Sequence, residues 1–453
     1  MQIFDHAIPS DRSLHKLLHG LLQAVPLSLL LVIGFATRFT ALMLYLSTHN
    51  WQGEQWEYEE LAQNLLNGHG YVIARWNTQY YTFVPPLFSF VCAFLHLIGG
   101  NGALYQVLYF SYHIGLALGI IWLTYRLALT WFGRSVATLT ALFVALEPGL
   151  VVYHSYKMDV MTLASFWLIL GLALFQRLVE TRELRTAMML GVVLGLGLLT
   201  RLDLVMLFGL LGMWLIIQRR NVRSILKPIA ATVVVSLIVI SPWLVRNYLL
   251  LDQFVFISAN SGEVLWFGNN ANSVGTPIAL DGRPVFEHAP ASLQLAVQGA
   301  TSELQVNAIL REDAMRYIAE DPWRYARHVL AKFWYFWWFT PTYGMNYYTH
   351  IGQGWKVAYK FLHAGLLLLA MFGAWSAFHE ARRESRHALL FILTPCILLA
   401  VIHGLTYVEG RHRIMAQPLL LILAAAGAWF LWTKLRPASH DRVLRPANAI
   451  PRE

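Results

Sequence analysis

Residues 26–46 read PLSLLLVIGFATRFTALMLYL. As a helix rising 1.5 Å per residue this run covers about 31 Å, which matches the roughly 30 Å hydrocarbon core of a bilayer. It is too long for the apolar part of a cleaved leader, carries Arg38 and shows no small-residue cleavage site, so it reads as an uncleaved span. Similar stretches recur near 103–125, 136–152, 159–176, 187–200, 203–217, 228–245, 357–378, 388–407 and 414–433. Over the whole chain 57% of residues are hydrophobic and 13% charged, against about 45–50% and about 25% in soluble domains. There is too little polar surface to coat a globule in water. A soluble enzyme, a disordered tail and a nucleic-acid module are excluded, and an all-α polytopic membrane protein of about ten spans (nine to thirteen) is expected.

The net charge of +9 is distributed unevenly. With the N-terminus inside, alternation places Arg12, Lys16, Arg126, Arg134, Arg177, Arg182, Arg185, Arg219, Arg220, Arg223, Lys227, Arg382, Arg383, Arg386, Lys434, Arg436, Arg442, Arg445 and Arg452 on the cytoplasmic side. The short outer loops hold only Arg75, Lys157, Arg201, Arg411 and Arg413. Basic residues mark cytoplasmic loops, so the pattern calls for ten spans with both ends inside. Residues 87–98 (LFSFVCAFLHLI) are too short to cross and would invert every later loop if they did. They are expected along the outer face, as is the aromatic run Phe333–Phe339 (FWYFWWF). One membrane domain over 1–453 is expected, with a first outer loop over 47–102, a larger one over 246–355 and a cytoplasmic tail over 434–453. Cys92 and Cys396 lie in apolar runs, so a disulfide framework is not expected. No repeat of 20–50 residues is present.

Acidic residues at span ends are costly beside a membrane and point to function. Glu54, Glu57, Asp159 and Asp203 are such residues on the expected outer side, and Lys157, Arg75, Arg411 and Arg413 are the outer cations suited to an anionic group. Each also has a structural reading: Glu54 and Asp159 could complement helix N-termini, and the cations could bind headgroups. Arg38 reads as a structural ion pair within the first span. His113, His154, His403 and His412 lack zinc-ligand spacing and read as core or interfacial histidines. Gly191, Gly195 and Gly197 suggest close helix packing. Asn269-Asn270 after Gly268 reads as a turn, with sugar or acceptor binding at Asn269 as the alternative. No phosphate-binding G-x-x-x-x-G-K-[ST] loop occurs.

The acidic cluster continues as EQWEYEELAQNLLNGHGY over 54–71. Together with Pro85-Pro86-Leu87, Glu147-Pro148, Asp159, Leu199-Thr200-Arg201, Pro242–Tyr248 (PWLVRNY), Asn260, Leu265–Asn270 (LWFGNN) and Arg411-His412-Arg413 before Pro418, it resembles the GT-C membrane glycosyltransferases. Within that superfamily it is similar to the protein O-mannosyltransferases and lipid A aminoarabinose transferases (glycosyltransferase family 39). The resemblance implies a GT-C-like helical bundle with outer juxtamembrane helices. It implies a hexosyl- or pentosyltransferase that passes a sugar from a polyprenyl-phosphate donor to a glycolipid, envelope polysaccharide or protein acceptor. The expected setting is the outer face of a cell membrane, the periplasmic side of a bacterial inner membrane. By position Glu54 takes the family's general-base role, where most members have Asp, and Asp159 its second acidic position. Lys157, Arg75, Arg411, Arg413, Glu57 and Asn269 are then substrate-binding candidates. Because an alkyl phosphate leaves without a nucleotide, neither metal nor cofactor is expected.

Two other classes compete. A secondary transporter or lipid flippase would show repeated halves and binding groups near mid-bilayer, whereas here the halves differ and the ionisable groups gather at the outer rim. A non-catalytic scaffold leaves the grouping of Glu54, Asp159 and Lys157 without a purpose.

Overall fold

A computed structural model describes residues 19–48, 57–157, 159–217, 222–343, 353–379 and 383–434. The expected base Glu54, the tail beyond Lys434 and the basic residues Arg12, Lys16, Arg219, Arg220 and Arg382 lie outside the described residues.

The long helices are α1 (Leu27–Thr48), α4 (Ala103–Phe132), α7 (Met161–Thr181), α10 (Arg223–Leu251), α15 (Gln353–His379), α16 (Arg383–Leu405) and α17 (Gly410–Lys434). Among the described residues these seven are long and apolar enough to cross a bilayer. The three remaining expected spans are shorter helices: α5 (Arg134–Leu146), α8 (Leu184–Leu198) and α9 (Met206–Ile217), the last preceded by a 3-10 turn over Leu202–Val205. The run expected over 136–152 is broken. Pro148, which cannot donate to the preceding turn, restarts the chain as α6 (Pro148–Tyr153). Buried Glu147 seals the break, its Oε2 accepting Leu150 N–H at 2.6 Å and its Oε1 the Tyr359 hydroxyl at 2.7 Å.

α17 is the axis of the bundle and packs on α15, α5, α7, α16 and α4. A helix apolar on every face belongs in an interior, and α17 is buried without interruption from His412 to Gly427. Glycines set its closest approach: a Cβ on Gly427 would overlap the Leu369 carbonyl oxygen, and one on Gly373 the Leu423 carbonyl oxygen. At a second crossing Gly191 and Gly195 of α8 lie against Thr232, Val235 and Val239 of α10, the packing anticipated for that glycine series. Arg38 is fully buried, but its partners are not carboxylates. It donates to the Ala145 carbonyl at 2.7 Å, Val144 at 2.8 Å and Gly34 at 3.3 Å. It therefore terminates α5, where the helix leaves carbonyls unpaired and the dipole favours a cation.

The two long connections fold together as a cap at one end of the bundle. The first comprises α2 (Glu57–Leu66), a hairpin of β1 (Ile73–Arg75) and β2 (Thr78–Tyr80), and α3 (Leu87–Gly99). The hairpin turn is Trp76-Asn77, both at positive φ (48° and 61°), the geometry that matches strand twist in a two-residue loop. The tryptophan packs there against Phe286, with ring centroids 4.6 Å apart and the planes tilted by 33°. Apolar α3 keeps one face in the cap through Phe88, Cys92 and Leu95 and exposes Phe90, Phe94, Leu97 and Ile98. At 13 residues it is about 20 Å long, too short to cross.

The second connection comprises α11 (Ser261–Gly268), α12 (Ala291–Gln298), α13 (Glu303–Glu320) and α14 (Pro322–Trp337). Buried Glu303 joins it to the first: Oε2 accepts Tyr81 N–H and Thr82 N–H, and Oε1 the Thr82 hydroxyl, at 3.0–3.1 Å. The PWLVRNY run, at the end of α10, pins both segments. Trp243 and Asn247 donate to the Ile257 carbonyl, and Arg246 donates to the carbonyls of Tyr81 and Tyr71. The Phe333–Phe339 run divides between two roles, since Trp334 is exposed while Phe336 and Phe339 are buried.

Candidate functional site

Ionisable groups from separate stretches lie beneath the cap. α2 brings Glu57 and Tyr58. Its neighbour Glu59 turns the other way, pairing with His96 of α3 at 2.7 Å and accepting the Tyr105 hydroxyl of α4, which clamps α2 in place. Tyr58 is buried in the field of Glu57, Arg201, Asp159 and Arg411. Burial foremost, and then Glu57, push its phenol well above the usual range.

Asp159 sits on the turn between α6 and α7 and divides its carboxylate. Oδ1 accepts Met161 N–H at 3.0 Å at the start of α7, and Oδ2 lies 3.5 Å from Arg411 Nη1. Arg411 also grips Glu409, with Nε at 2.8 Å and Nη2 at 2.7 Å from Oε2. Lys157 is half-buried on the Asp159 turn, where its carbonyl accepts Asp159 N–H.

A second arginine–carboxylate pair stands beside the first. Arg201, between α8 and the 3-10 turn, donates through Nε and Nη2 to Asp203 at 2.8–3.1 Å. Tyr58, Tyr407 and His412 each lie in the field of both Arg201 and Arg411. Side-on contact through Nε and Nη2 turns the Nη1 edge of Arg201 away from its carboxylate. Arg201 was among the outer cations of the sequence but not among the expected binding residues. Its signal was the Thr200-Arg201 dipeptide at the outer end of a short span.

Glu57 connects this group to a third pair. Its charge reaches Arg411 and also Glu263, and Glu263 binds Arg75 at 2.8 Å. Burial raises the Glu263 carboxyl above its ordinary range, against the pull of Arg75. The Arg75 guanidinium also lies over the rings of Phe83 and Trp76.

Arg413 and Asn269, expected as substrate contacts, are spent on the frame. Arg413 is 3% exposed and donates to the carbonyls of Trp338 (2.6 Å) and Trp337 (3.3 Å) at the end of α14. A residue two positions after Arg411 on a helix points to another face, which is why adjacent arginines of one motif separate. Asn269 is fully buried; its amide donates to the Leu265, Leu405 and Thr406 carbonyls, and its oxygen accepts from Lys332. Lys332 was not singled out in the sequence. It is 1% exposed, with Nζ 2.7 Å from the Thr406 carbonyl, 2.8 Å from Asn269 Oδ1 and 3.3 Å from the Gly268 carbonyl, and burial lowers its ammonium to about 7.

The arrangement offers carboxylates beside guanidinium groups in a partly dry setting, suited to handling a hydroxyl proton next to a phosphate. The family model described as dolichyl-phosphate-mannose-protein mannosyltransferase matches residues 84–245, from the end of the hairpin segment to the PWLVRNY run. None of the curated protein sequences matches the chain. By fold it is similar to the Archaeoglobus fulgidus oligosaccharyltransferase, with a TM-score of 0.55 and 15% identity over 90% of this chain. The chain spans 51% of that protein's length. ArnT from Cupriavidus metallidurans, crystallised with undecaprenyl phosphate, aligns over 89% of this chain and 77% of its own, at 17% identity and a TM-score of 0.44.

Proposed function

We propose that this chain, which matches the dolichyl-phosphate-mannose-protein mannosyltransferase model over residues 84–245, transfers a sugar from a polyprenyl-phosphate donor to a hydroxyl acceptor at the outer face of the membrane. The observation that carries this reading is the Asp159–Arg411 pair under the cap, with the Arg201–Asp203 pair beside it. The matched family model adds support for the donor class, being described by a lipid-phosphate-linked sugar.

In this reading Glu54, three residues before Glu57, is the general base. It takes the proton of the acceptor hydroxyl as that oxygen bonds to the anomeric carbon from the side opposite the carrier. The bond from the anomeric carbon to the phosphate oxygen breaks, the sugar inverts, and polyprenyl phosphate leaves with the bonding pair. Arg411 and the free edge of Arg201 face the charge that develops on the leaving phosphate, assisted by Lys157 and Arg75. Guanidinium forks suit that task, and fixed charges in a partly dry site are worth more than in water. Asp159 holds Arg411 from the acceptor side.

The test is sugar transfer from radiolabelled polyprenyl-phosphate donors by the wild type and by Glu54→Gln, which keeps shape and removes the base. The expected result is transfer by the wild type, and a fall of about 10²–10⁴-fold in the variant with polyprenyl-phosphate binding retained. Wild-type turnover in Glu54→Gln excludes it as the base, and no transfer by the wild type from any donor removes the functional reading itself.

A further inference from the structure

The two arginine–carboxylate pairs are joined through a pair of histidines. Asp203 Oδ2, already bonded by Arg201, lies 3.3 Å from His403 Nε2. His403 Nδ1 lies 3.2 Å from the Tyr407 carbonyl oxygen, and the approach of Nε2 to Asp203 is close but lacks hydrogen-bond alignment. The His403 ring is stacked between Phe336 (centroids 5.8 Å apart, 14° between planes) and His412 (3.8 Å, 17°). His412, in turn, accepts Glu409 N–H at Nδ1 over 3.2 Å. This is the reciprocal bond of a helix capping box, with a histidine where glutamate or glutamine usually stands. The carboxylate of that same Glu409 grips Arg411. A continuous path therefore runs Arg201, Asp203, His403, His412, Glu409, Arg411, Asp159, through three separate parts of the chain.

We propose that His403 and His412 are positioning residues that hold the Arg201 and Arg411 guanidinium groups in a fixed mutual geometry, a reading that rests on the phosphate role given to those arginines above. Packing alone does not account for the choice of residues. An aromatic hydrocarbon would stack as well between Phe336 and His412, yet His403 turns Nδ1 to the Tyr407 carbonyl and sets Nε2 within 3.3 Å of Asp203 Oδ2. The carboxylate of Asp203 can otherwise rotate about its side-chain torsion and carry Arg201 with it. The close approach of His403 to Oδ2, the oxygen that also receives Arg201 Nη2, restricts that rotation. On the other branch, the His412 bond fixes the first turn of α17, from which Glu409 reaches Arg411. Neither histidine touches the reacting groups. Their effect passes through Asp203 and Glu409, and misplacement of a phosphate-facing group by about 1 Å is enough to slow transfer heavily.

The experiment compares His403→Phe, which keeps the stack and loses the polar contacts, with His403→Gln, whose amide nitrogen reaches the Nε2 position. The full chain in lipid nanodiscs is assayed for kcat and KM with the polyprenyl-phosphate sugar that the wild type uses, and for melting temperature. Expected for His403→Phe is a kcat reduced about 10–100-fold, with KM and melting temperature close to wild type. His403→Gln recovers most of that loss. A wild-type kcat in His403→Phe, a His403→Gln as slow as His403→Phe, or a kcat loss tracking a fall in melting temperature overturns the proposal. Should His403→Phe not fold, His412→Leu against His412→Asn, whose Oδ1 replaces Nδ1 as acceptor, gives the same comparison. A wild type that transfers from no donor counts against the phosphate role itself; an active wild type with unaffected variants counts against the histidines alone.

Discussion

Asp159 and Arg411 meet at 3.5 Å across 252 positions of sequence, and the aspartate spends its other oxygen on the first turn of α7. The two oxygens can be tested apart. Asn caps a helix about as well as Asp, so Asp159→Asn keeps the bond to Met161 N–H and removes the charge facing Arg411. We expect its melting temperature to stay within a few degrees of wild type while sugar transfer falls by about 10²-fold, the scale of one lost electrostatic contact. Equal transfer rates would show that Asp159 serves only as a cap.

Lys332 gives a pH signature. Its ammonium titrates at about 7 in the folded chain against 10.5 when exposed. Between those values the unfolded state binds more protons, so stability rises with pH, by at most about 1.4 kcal/mol per unit. The window from pH 7.5 to 9.5 lies above the neighbouring His328, whose pKa is lowered by burial. Thermal unfolding in detergent should show the rise in wild type and its loss in Lys332→Met. The same slope in both proteins would remove Lys332 as its source.

The glycine crossing of α15 and α17 sets a steric prediction. Gly427→Val places a side chain in the Leu369 carbonyl and should destabilise by at least about 1–3 kcal/mol. Gly115→Ala meets nothing within 4 Å and removes a helix-interior glycine, so it should be neutral or stabilising by up to about 1 kcal/mol. Melting temperatures of the two variants separate packing from helix propensity.

Sidedness is open to direct labelling. Both native cysteines are buried, so single introduced thiols report alone. His69→Cys, on the exposed end of the cap, should react with a membrane-impermeant maleimide in intact cells, and Arg182→Cys, after α7, only once the membrane is opened. The opposite pattern would invert the topology and place the site on the cytoplasmic side.

The bundle was largely legible because membrane insertion depends on local composition. Nine of the ten expected spans are each a helix, with bounds off by up to seven residues, and the one broken run fails at Pro148, a residue whose chemistry is itself local. The site was legible only in part. Asp159 and Arg411 were each visible as a charge at a span end, and the structure brings them together. Arg413 carried the same signal and belongs to the frame, while Arg201 stood in plain view and was passed over. Lys332 stood at the head of an aromatic run, where a charge looks like a snorkelling anchor.

From its sequence alone this chain is a many-span helical membrane protein with acids and cations gathered at span ends, because the hydrocarbon core tolerates little else. Which cation faces which acid was decided by the tertiary structure. Arg411 for Asp159, Glu263 for Arg75 and the Ala145 carbonyl for Arg38 lie more than a hundred residues away, and helix packing, set by glycine contacts and by the clamp of Glu59 on His96, brings them within reach. Hydropathy measures the cost of burying a charge at one position; the direction in which that side chain points, and what waits there, depends on how the neighbouring helices are turned.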